Sequence, residues 1–296
     1  MRIAIVGTGI SGMVTAYLLC RNHDITVYEA NDYVGGHTHT VDVESDGRRL
    51  PVDTGFIVFN EPNYPNFTKL LKRLQISSQP APMSFSVRCE KSGLEYSPTS
   101  LNSLFAQRRN LATPAFWRML FDVFRFRRES KELLQEADPA LTLQAYLTSR
   151  GYSETFVEKF ILPLGAAIWS ADPERFRDVP AYHFVRFFTM HGFLNVRDQP
   201  QWRVVQGGSR RYVEALIRPF AQRIRLNTPV IGIRRHGDHV DVQAADGSSA
   251  RYDEVVLATH SDQALRILAD PSADEKRILG AIGYQKNLTI LHSDGS

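Results

Sequence analysis

The chain has 296 residues, of which 43% are hydrophobic and 23% are charged, and its formal net charge is +3. This length suits about two domains, and the composition is ordinary for a soluble globular protein. The weak positive charge argues against nucleic-acid binding, which needs a larger basic excess with clustered aromatic residues. The two cysteines are Cys20 and Cys89. Because Cys20 falls within the first predicted helix, no disulfide framework is expected.

The first predicted strand begins at residue 2, which leaves no room for a signal or transit peptide. No run of about 18 apolar residues predicts a membrane span. We therefore expect a cytoplasmic protein. No CxxC motif or His/Cys cluster has metal-ligand spacing, so we expect no metal and interpret His37 and His39 as loop residues.

The chain opens with a dinucleotide-binding pattern. A predicted strand over 2–6 precedes the run Gly7-Thr8-Gly9-Ile10-Ser11-Gly12, which opens a helix. The first glycine of such a run permits a tight turn, the second lets the backbone approach a pyrophosphate, and the third lets the helix pack closely on the sheet. The amides at the start of that helix then face the phosphates.

A second predicted strand, over 24–29, ends at Glu29. It lies about 20 residues after the glycines, where a carboxylate accepts hydrogen bonds from ribose hydroxyls and repels a 2′-phosphate. The spacing predicts an adenine dinucleotide without that phosphate. The alternative is a glycine-rich turn that only packs, with Glu29 as a solvated strand end.

Two further blocks follow the acid. Gly35-Gly36 permits a second close backbone approach and leads into His37-Thr38-His39-Thr40. The run 52–59, which contains Asp53-Thr54-Gly55-Phe56, is predicted to form a buried strand with a glycine in it.

Together these blocks resemble the flavin-containing amine oxidase and carotenoid desaturase superfamily, in which a Gly-Gly-Arg element and an Asp-x-Gly strand follow the ribose-binding acid. In this resemblance, 206–216 returns the chain to the cofactor domain, 228–233 carries the valine that contacts adenine, and 254–259 closes on the pyrophosphate. The resemblance implies FAD rather than NAD.

The chain resembles in particular a bacterial subgroup described as predicted NAD/FAD-binding proteins, which carry the Gly-Gly-His-Thr-His-Thr and Asp-Thr-Gly-Phe runs. His37 stands where most of the superfamily has arginine. A titratable imidazole there replaces a fixed cation beside the phosphates, which weighs against amine oxidation.

The resemblance implies an α/β fold, a Rossmann-like FAD/NAD(P)-binding domain interrupted by an α+β substrate domain. We place the FAD-binding domain at 1–75 and 205–282, and the substrate domain at 76–204 and 283–296. The predicted cofactor-binding residues are Gly7, Gly9, Ile10, Ser11, Gly12, Glu29, Ala30, Gly35, Gly36, His37, Thr38, Thr54, Gly55, Phe56, Val230, Ala258 and Thr259.

The remaining pattern predicts both helices and strands. Helices are expected over 63–74, 114–128, from 142 and over 156–169; strands are expected as a hairpin at 84–88 and 93–96, a three-stranded meander from 230, a parallel strand at 253–259, and a strand beginning within 286–292.

The helix over 114–128 is apolar nearly all round, with Arg118, Asp122 and Arg125 on one polar stripe, which predicts burial on most sides. Its arginine-rich flanks also suit a membrane interface, and we favour core packing over membrane contact. The candidates for lining a substrate pocket are Trp169, Phe187, Phe188, His191 and Phe193.

Superfamily members usually continue beyond the point where this chain ends, and they add flavin contacts there. Because a strand ending the chain would leave an unpaired edge, we expect a truncated sequence, and no catalytic residue is assigned. The leading hypothesis is an FAD-dependent oxidoreductase acting on a largely apolar small molecule or lipid. The alternatives are a fatty-acyl or isoprenoid desaturase and a nucleotide-binding fragment without catalysis; an NAD-dependent dehydrogenase is disfavoured.

Overall fold

The computed structural model describes residues 1–135, 138–195, 199–288 and 290–293. The strands are β1 (Arg2–Val6), β2 (Asp24–Tyr28), β3 (Thr40–Ser45), β4 (Arg48–Asp53), β5 (Val58–Asn60), β6 (Ser78–Pro80), β7 (Val87–Cys89), β8 (Leu94–Tyr96), β9 (Trp202–Val205), β10 (Ile224–Arg225), β11 (Val230–Arg235), β12 (Val240–Ala244), β13 (Ser249–Tyr252) and β14 (Glu254–Leu257). The α-helices are α1 (Ile10–Leu19), α2 (Pro65–Leu74), α3 (Leu101–Leu104), α4 (Pro114–Glu129), α5 (Leu143–Ser149), α6 (Glu154–Phe156), α7 (Leu162–Trp169), α8 (Pro173–Phe176), α9 (Ala181–Met190), α10 (Arg210–Ile217), α11 (Ser261–Ile267) and α12 (Ala273–Gly280).

The chain divides into two compact units. The first unit comprises Met1–Phe59, Tyr64–Pro80 and a segment that begins at Arg203, and the second comprises Asn60–Asn63 and Ala81–Trp202. The division places 76–80, 203–204 and 283–288 in the first unit, whereas the sequence predicted them to belong to the substrate domain. It places Asn60–Asn63 in the second unit, whereas the sequence predicted them to belong to the FAD-binding domain.

The placement of 283–288 has a local cause in Tyr284. The Ser261 N–H donates to the Tyr284 hydroxyl at 3.0 Å, and the Tyr284 ring stacks on His260 with centroids 4.5 Å apart. These contacts hold the segment against the first unit. The described residues 286–288 and 290–292 adopt no strand, so the strand predicted there is wrong.

A parallel sheet in the order β10-β2-β1-β14 forms the centre of the first unit. Helix α1 connects β1 to β2 and packs through Met13 and Ala16, which are fully buried. The β-branched residues Ile5 and Val27 are paired across β1 and β2 and are likewise fully buried. The predicted strand–helix–strand unit and the parallel strand near 253–259 are confirmed. An apolar strand followed by a glycine loop and a helix is compatible with few other folds.

The first unit also contains antiparallel elements, namely the meander β11-β12-β13 and the ribbon β3-β4. The single strand predicted over 52–59 is wrong, because β4 ends at Asp53 and β5 begins at Val58. Between them the Phe56 N–H donates to the His37 carbonyl at 3.0 Å. A Cβ on Gly55 would lie only 1.8 Å from that carbonyl oxygen, so the loop at His37 requires glycine there.

The second unit is mainly helical, and its core includes Phe116, Met119, Leu143, Phe156 and Phe184. The predicted hairpin forms as β7-β8, and the predicted helices near 114, 142 and 156–169 form as α4, α5 and the α6–α7 region. A π-helical turn over Val157–Ile161 separates α6 from α7. No helix in the described parts of the chain combines the length and hydropathy needed to traverse a bilayer.

Helix α4 departs from its prediction of burial on most sides. Asp122, assigned to a polar stripe, is fully buried and accepts a 2.9 Å hydrogen bond from the Ser153 N–H. Trp117, Phe121 and Phe124 are instead 49%, 58% and 61% exposed. A buried carboxylate is stable only when it is paired, and the N–H donor at Ser153, together with arginines on α4 itself, provides that pairing.

Candidate cofactor site

The glycines of the first loop have two different steric roles, and Gly7 and Gly12 share the first. A Cβ on Gly7 would lie 2.7 Å from the Ala258 carbonyl oxygen, and one on Gly12 would lie 1.9 Å from the Gly7 oxygen. Gly7 also has φ +103°, which disfavours any side chain. Both positions therefore need glycine to form the turn itself.

Gly9 differs from both, because a Cβ placed on it meets no atom within 4 Å. It is the N-cap residue of α1, and no side chain caps the helix there. Free N–H groups at a helix N-terminus attract an anion. Open space in front of uncapped amides fits the diphosphate of a dinucleotide, with Ile10 and Ser11 exposed beside it.

The second glycine element lies against the first. Gly35 donates its N–H to the Thr8 carbonyl at 3.1 Å, and a Cβ on Gly36 would lie 3.1 Å from the Gly9 Cα. Both glycines have positive φ, +124° and +58°. The structure therefore brings the two predicted glycine elements together, and His37 follows them as an exposed side chain.

Glu29 comes directly after β2, which ends at Tyr28 and so one residue earlier than predicted, and it is 6% exposed. One carboxylate oxygen accepts from the Thr8 N–H at 3.0 Å and from the Thr8 hydroxyl, and the other accepts from the Asn31 N–H at 2.9 Å. The carboxylate thus fixes the glycine loop from within. Asn31 Nδ2 also donates to the second oxygen at 3.0 Å, so four donors within the protein already face the carboxylate. A ribose contact by Glu29 stays a prediction, and a ribose hydroxyl would have to replace one of these donors.

An aromatic column stands beside the loop. The His37 and His260 rings stack with centroids 5.6 Å apart at 11°, and Tyr284 stacks on the other face of the column at 4.5 Å from His260. Sequence reasoning found His37 but missed His260 and Tyr284. Neither belongs to a motif, since His260 caps α11 and Tyr284 follows α12.

Three other predicted residues brace the loop internally. Thr38 is buried and its hydroxyl bonds to the Tyr212 hydroxyl at 2.9 Å, while burial raises the pKa of Tyr212. The Thr54 hydroxyl bonds to His39 Nδ1 at 2.9 Å, and Phe56 packs on the rings of α2. The Thr38 hydroxyl is therefore bonded within the protein, and its predicted contact with the cofactor phosphates stays a prediction.

The remaining predicted residues lie at different places in the first unit. Ala258 and Thr259 follow β14 and lie next to Gly7, and Ala258 also faces Gly12. Ala30 is exposed at the end of β2, whereas Val230 is buried at the start of β11. The structure thus brings most of the predicted residues to the carboxyl end of the parallel strands, where open α/β sheets bind ligands.

In the second unit the candidate pocket residues form a packed aromatic cluster. Trp169 lies 4.5 Å from Phe187 between ring centroids, and Phe187 stacks on His191 at 3.9 Å. Phe188 is buried, stacks on Phe184 at 4.1 Å and lies 5.3 Å from Phe193. Their contact with substrate stays a prediction, since this packing is also what a core requires.

The second unit also contains a cysteine–lysine pair that the sequence did not reveal. Lys159 Nζ lies 3.1 Å from Cys89 Sγ. Hydrogen bonds from Ser92 and from Lys159 lower the pKa of the Cys89 thiol to about 6. Such a thiol is largely ionised at neutral pH, which makes it nucleophilic.

A cleft of about 860 Å³ lies elsewhere on the first unit, and its lining residues are distinct from the predicted cofactor residues. Asp42, on its wall, pairs with Arg49 at 2.7 Å and with Arg210 at 2.8 Å. The arginine hydrogen bonds lower the pKa of Asp42 to about 2. Since Asp42, Arg49 and Arg210 are paired with one another within the unit, we interpret this cleft as structural.

Several solved structures share the fold. A cyclohexylamine oxidase from Brevibacterium oxydans matches with a TM-score of 0.71 and 19% identity over 94% of this chain and 62% of its own. A putrescine oxidase bound to putrescine matches with a TM-score of 0.69 and 19% identity, over 95% and 63%. A fatty acid isomerase from P. acnes that produces CLA gives 0.63 and 19%, over 94% and 63%. The chain thus spans a little over 60% of their length.

A curated tryptophan 2-monooxygenase from Allorhizobium ampelinum is 51% identical over 41 residues, which is 13% of this chain and 6% of that protein. The family model for flavin containing amine oxidoreductases matches residues 10–291. These matches confirm the predicted resemblance, the Rossmann-like α/β fold and FAD as the cofactor. The chain therefore belongs to the flavin-containing amine oxidoreductase family.

Proposed function

We propose that this chain holds FAD at its two glycine elements and forms part of an oxidoreductase that removes a hydride from a largely apolar substrate. The observation that carries the proposal is the open space at Gly9 in front of the uncapped end of α1. When bound, FAD supplies the hydride acceptor. The alternative, a nucleotide-binding module without catalysis, would share the same glycine geometry.

In this proposal each group of residues has a separate task. Backbone N–H groups following Gly9 bind the diphosphate, and Glu29 holds both the glycine loop and the adenosine ribose. His37, exposed beside the loop, donates to a phosphate oxygen, and the stacked ring of His260 keeps it in place. Val230 lies against the adenine.

The glycine assignment is tested by titrating the apoprotein with FAD and following the quenching of flavin fluorescence. Gly9→Val should lose measurable FAD binding while keeping its stability, because the new side chain enters open space that the diphosphate needs. Gly237→Val is the matched control, since Gly237 is equally unobstructed but lies on a distant hairpin. Unchanged FAD affinity in Gly9→Val would contradict the proposal.

A lipid substrate is favoured over an amine by the exposed face of α4. Trp117, Phe121 and Phe124 are spaced by four and three residues and so share one side of the helix. Exposed cations occur within and on both sides of α4 along the chain, at Arg108, Arg109, Arg118, Arg128 and Lys131. An aromatic helix face with basic residues near it in sequence suits the surface of an anionic bilayer, where a lipid substrate would be found.

We therefore propose peripheral contact between α4 and an anionic membrane. The test is cosedimentation with vesicles of phosphatidylcholine and phosphatidylserine, compared with phosphatidylcholine alone. Phe121→Ser with Phe124→Ser should abolish binding to the anionic vesicles, whereas Ile278→Ser, an equally exposed apolar residue on α12, should not. If the double variant changes only the oligomeric state in solution, the face is a protein interface and the membrane proposal fails.

The substrate class is tested separately by anaerobic flavin reduction. If the substrate is a lipid, long-chain acyl lipids should reduce the enzyme-bound flavin faster than small amines do. Faster reduction by cyclohexylamine or putrescine would favour amine oxidation and leave the FAD assignment intact.

A further inference from the structure

The β11-β12 hairpin brings two histidines and a carboxylate together on one face. The His236 N–H donates to the His239 carbonyl at 2.8 Å, which closes a turn of two intervening residues. The next pairs along the ladder are Arg235 with Val240 and Arg234 with Asp241. Because side chains alternate between faces along a strand, His236, His239 and Asp241 project on the same side.

The three side chains converge as this register requires. His236 Nε2 lies 2.9 Å from one Asp241 oxygen, and His239 Nε2 lies 3.6 Å from the other. Their ligand atoms all lie within 4.8 Å of one another, and the two rings are stacked with centroids 4.4 Å apart. Two imidazole nitrogens and a carboxylate oxygen form a common donor set for Zn²⁺.

The neighbouring residues orient one of the ligands. His239 Nδ1 lies 2.6 Å from an Asp238 oxygen, so its proton is held on that nitrogen and the Nε2 lone pair faces Asp241. Asp238 in turn pairs with Arg251 at 2.7 Å on the adjacent strand β13. A carboxylate that orients a histidine from behind is the usual companion of a metal-bound imidazole.

We propose that His236, His239 and Asp241 bind a divalent transition-metal ion of the zinc class, with water completing the coordination. Tetrahedral Zn²⁺ with ligand bonds of about 2.0–2.1 Å separates neighbouring ligand atoms by roughly 3.3 Å, and the two histidine–Asp241 spacings, 2.9 and 3.6 Å, lie on either side of that value. The ion would link β11 to β12 next to their turn. No metal was expected from the sequence, in which no CxxC motif or His/Cys cluster has ligand spacing. His236, His239 and Asp241 share one face only once the hairpin forms.

The experiment uses the untagged full chain, freed of metal with a chelator that is then removed, and titrates it with zinc chloride in a non-coordinating buffer. Calorimetry should show saturation at one ion per chain. His236→Ala and Asp241→Asn should each weaken the affinity by about tenfold or more. His183→Ala, which removes an exposed histidine from α9, is the control and should leave the affinity unchanged.

Two further measurements separate a ligand role from a structural one. Co²⁺ bound at the site should give visible absorption bands that are lost in His236→Ala. Asp238→Asn should weaken Zn²⁺ binding by about tenfold, because Asp238 orients His239. The metal-free melting temperature should change little, because the ion pair between Asp238 and Arg251 is exposed. The absence of saturable Zn²⁺ binding, or equal affinities for His236→Ala and His183→Ala, would overturn the proposal.

Discussion

The glycine loop of the first unit and helix α4 of the second unit show where local sequence rules are sufficient and where they are not. In the loop, the φ of +103° favours glycine at position 7, and the nearby Gly7 carbonyl oxygen leaves no room for a Cβ at position 12. In α4, the sequence indicates a helix but gives the wrong buried side, because Asp122 points inward and Phe124 outward. A need for glycine can be predicted from a short stretch of sequence, whereas the buried side of α4 depends on contacts with a segment elsewhere in the chain.

The largest expected effect sharpens the comparison within α4. Asp122→Ala should destabilise the protein by about 3 kcal/mol, because it leaves the half-buried Ser153 N–H without its acceptor and leaves Arg125 with Glu129 alone. Phe124→Ala, on the exposed side, should stay within about 0.5 kcal/mol of the wild type. Urea unfolding measures both. Equal losses for the two variants would mean that the orientation of α4 described here is wrong.

The next effect tests the two roles of glycine in the loop. Gly12→Val should cost roughly 2–3 kcal/mol of stability, because its Cβ would overlap the Gly7 carbonyl. Gly9→Val should leave thermal stability nearly unchanged while losing FAD. Thermal unfolding of both apoproteins is the measurement. A destabilisation of similar size in Gly9→Val would break the distinction between structural and ligand-facing glycines.

A smaller effect concerns the thiol of Cys89. Because the Cys89 pKa is lowered, the rate of alkylation by iodoacetamide should rise with pH through a midpoint near pH 6. The rate should be close to its maximum at neutral pH. Lys159→Met should move that midpoint upward, because it removes one of the donors to the thiolate. The rate is measured in a Cys20→Ala background. An unchanged midpoint in the lysine variant would exclude the pairing.

The smallest effect concerns acid stability in the first unit. Because the folded pKa of Asp42 lies below its unfolded value, the carboxylate stabilises the fold above about pH 4, and this contribution is lost as the pH falls toward 2. Asp42→Asn should therefore flatten the stability profile in that window and leave the neutral-to-basic slope unchanged. Unfolding curves between pH 2 and 5 give the comparison; a parallel profile would show that another group is responsible.

The strand–glycine–helix–strand order, the two glycine elements and the meander could be predicted from the residues alone, because each depends on backbone freedom or on an apolar period within one short segment. Which residues lie beside these elements depends on long-range packing. His260 stacks on His37, and Tyr284 stacks on His260. Lys159 reaches Cys89 of β7 from the π-helical turn, and Ser153 contacts the inward side of α4. These contacts join residues that are far apart in sequence. They form because buried groups must pack and must complete their hydrogen bonds, and no local sequence pattern contains that information.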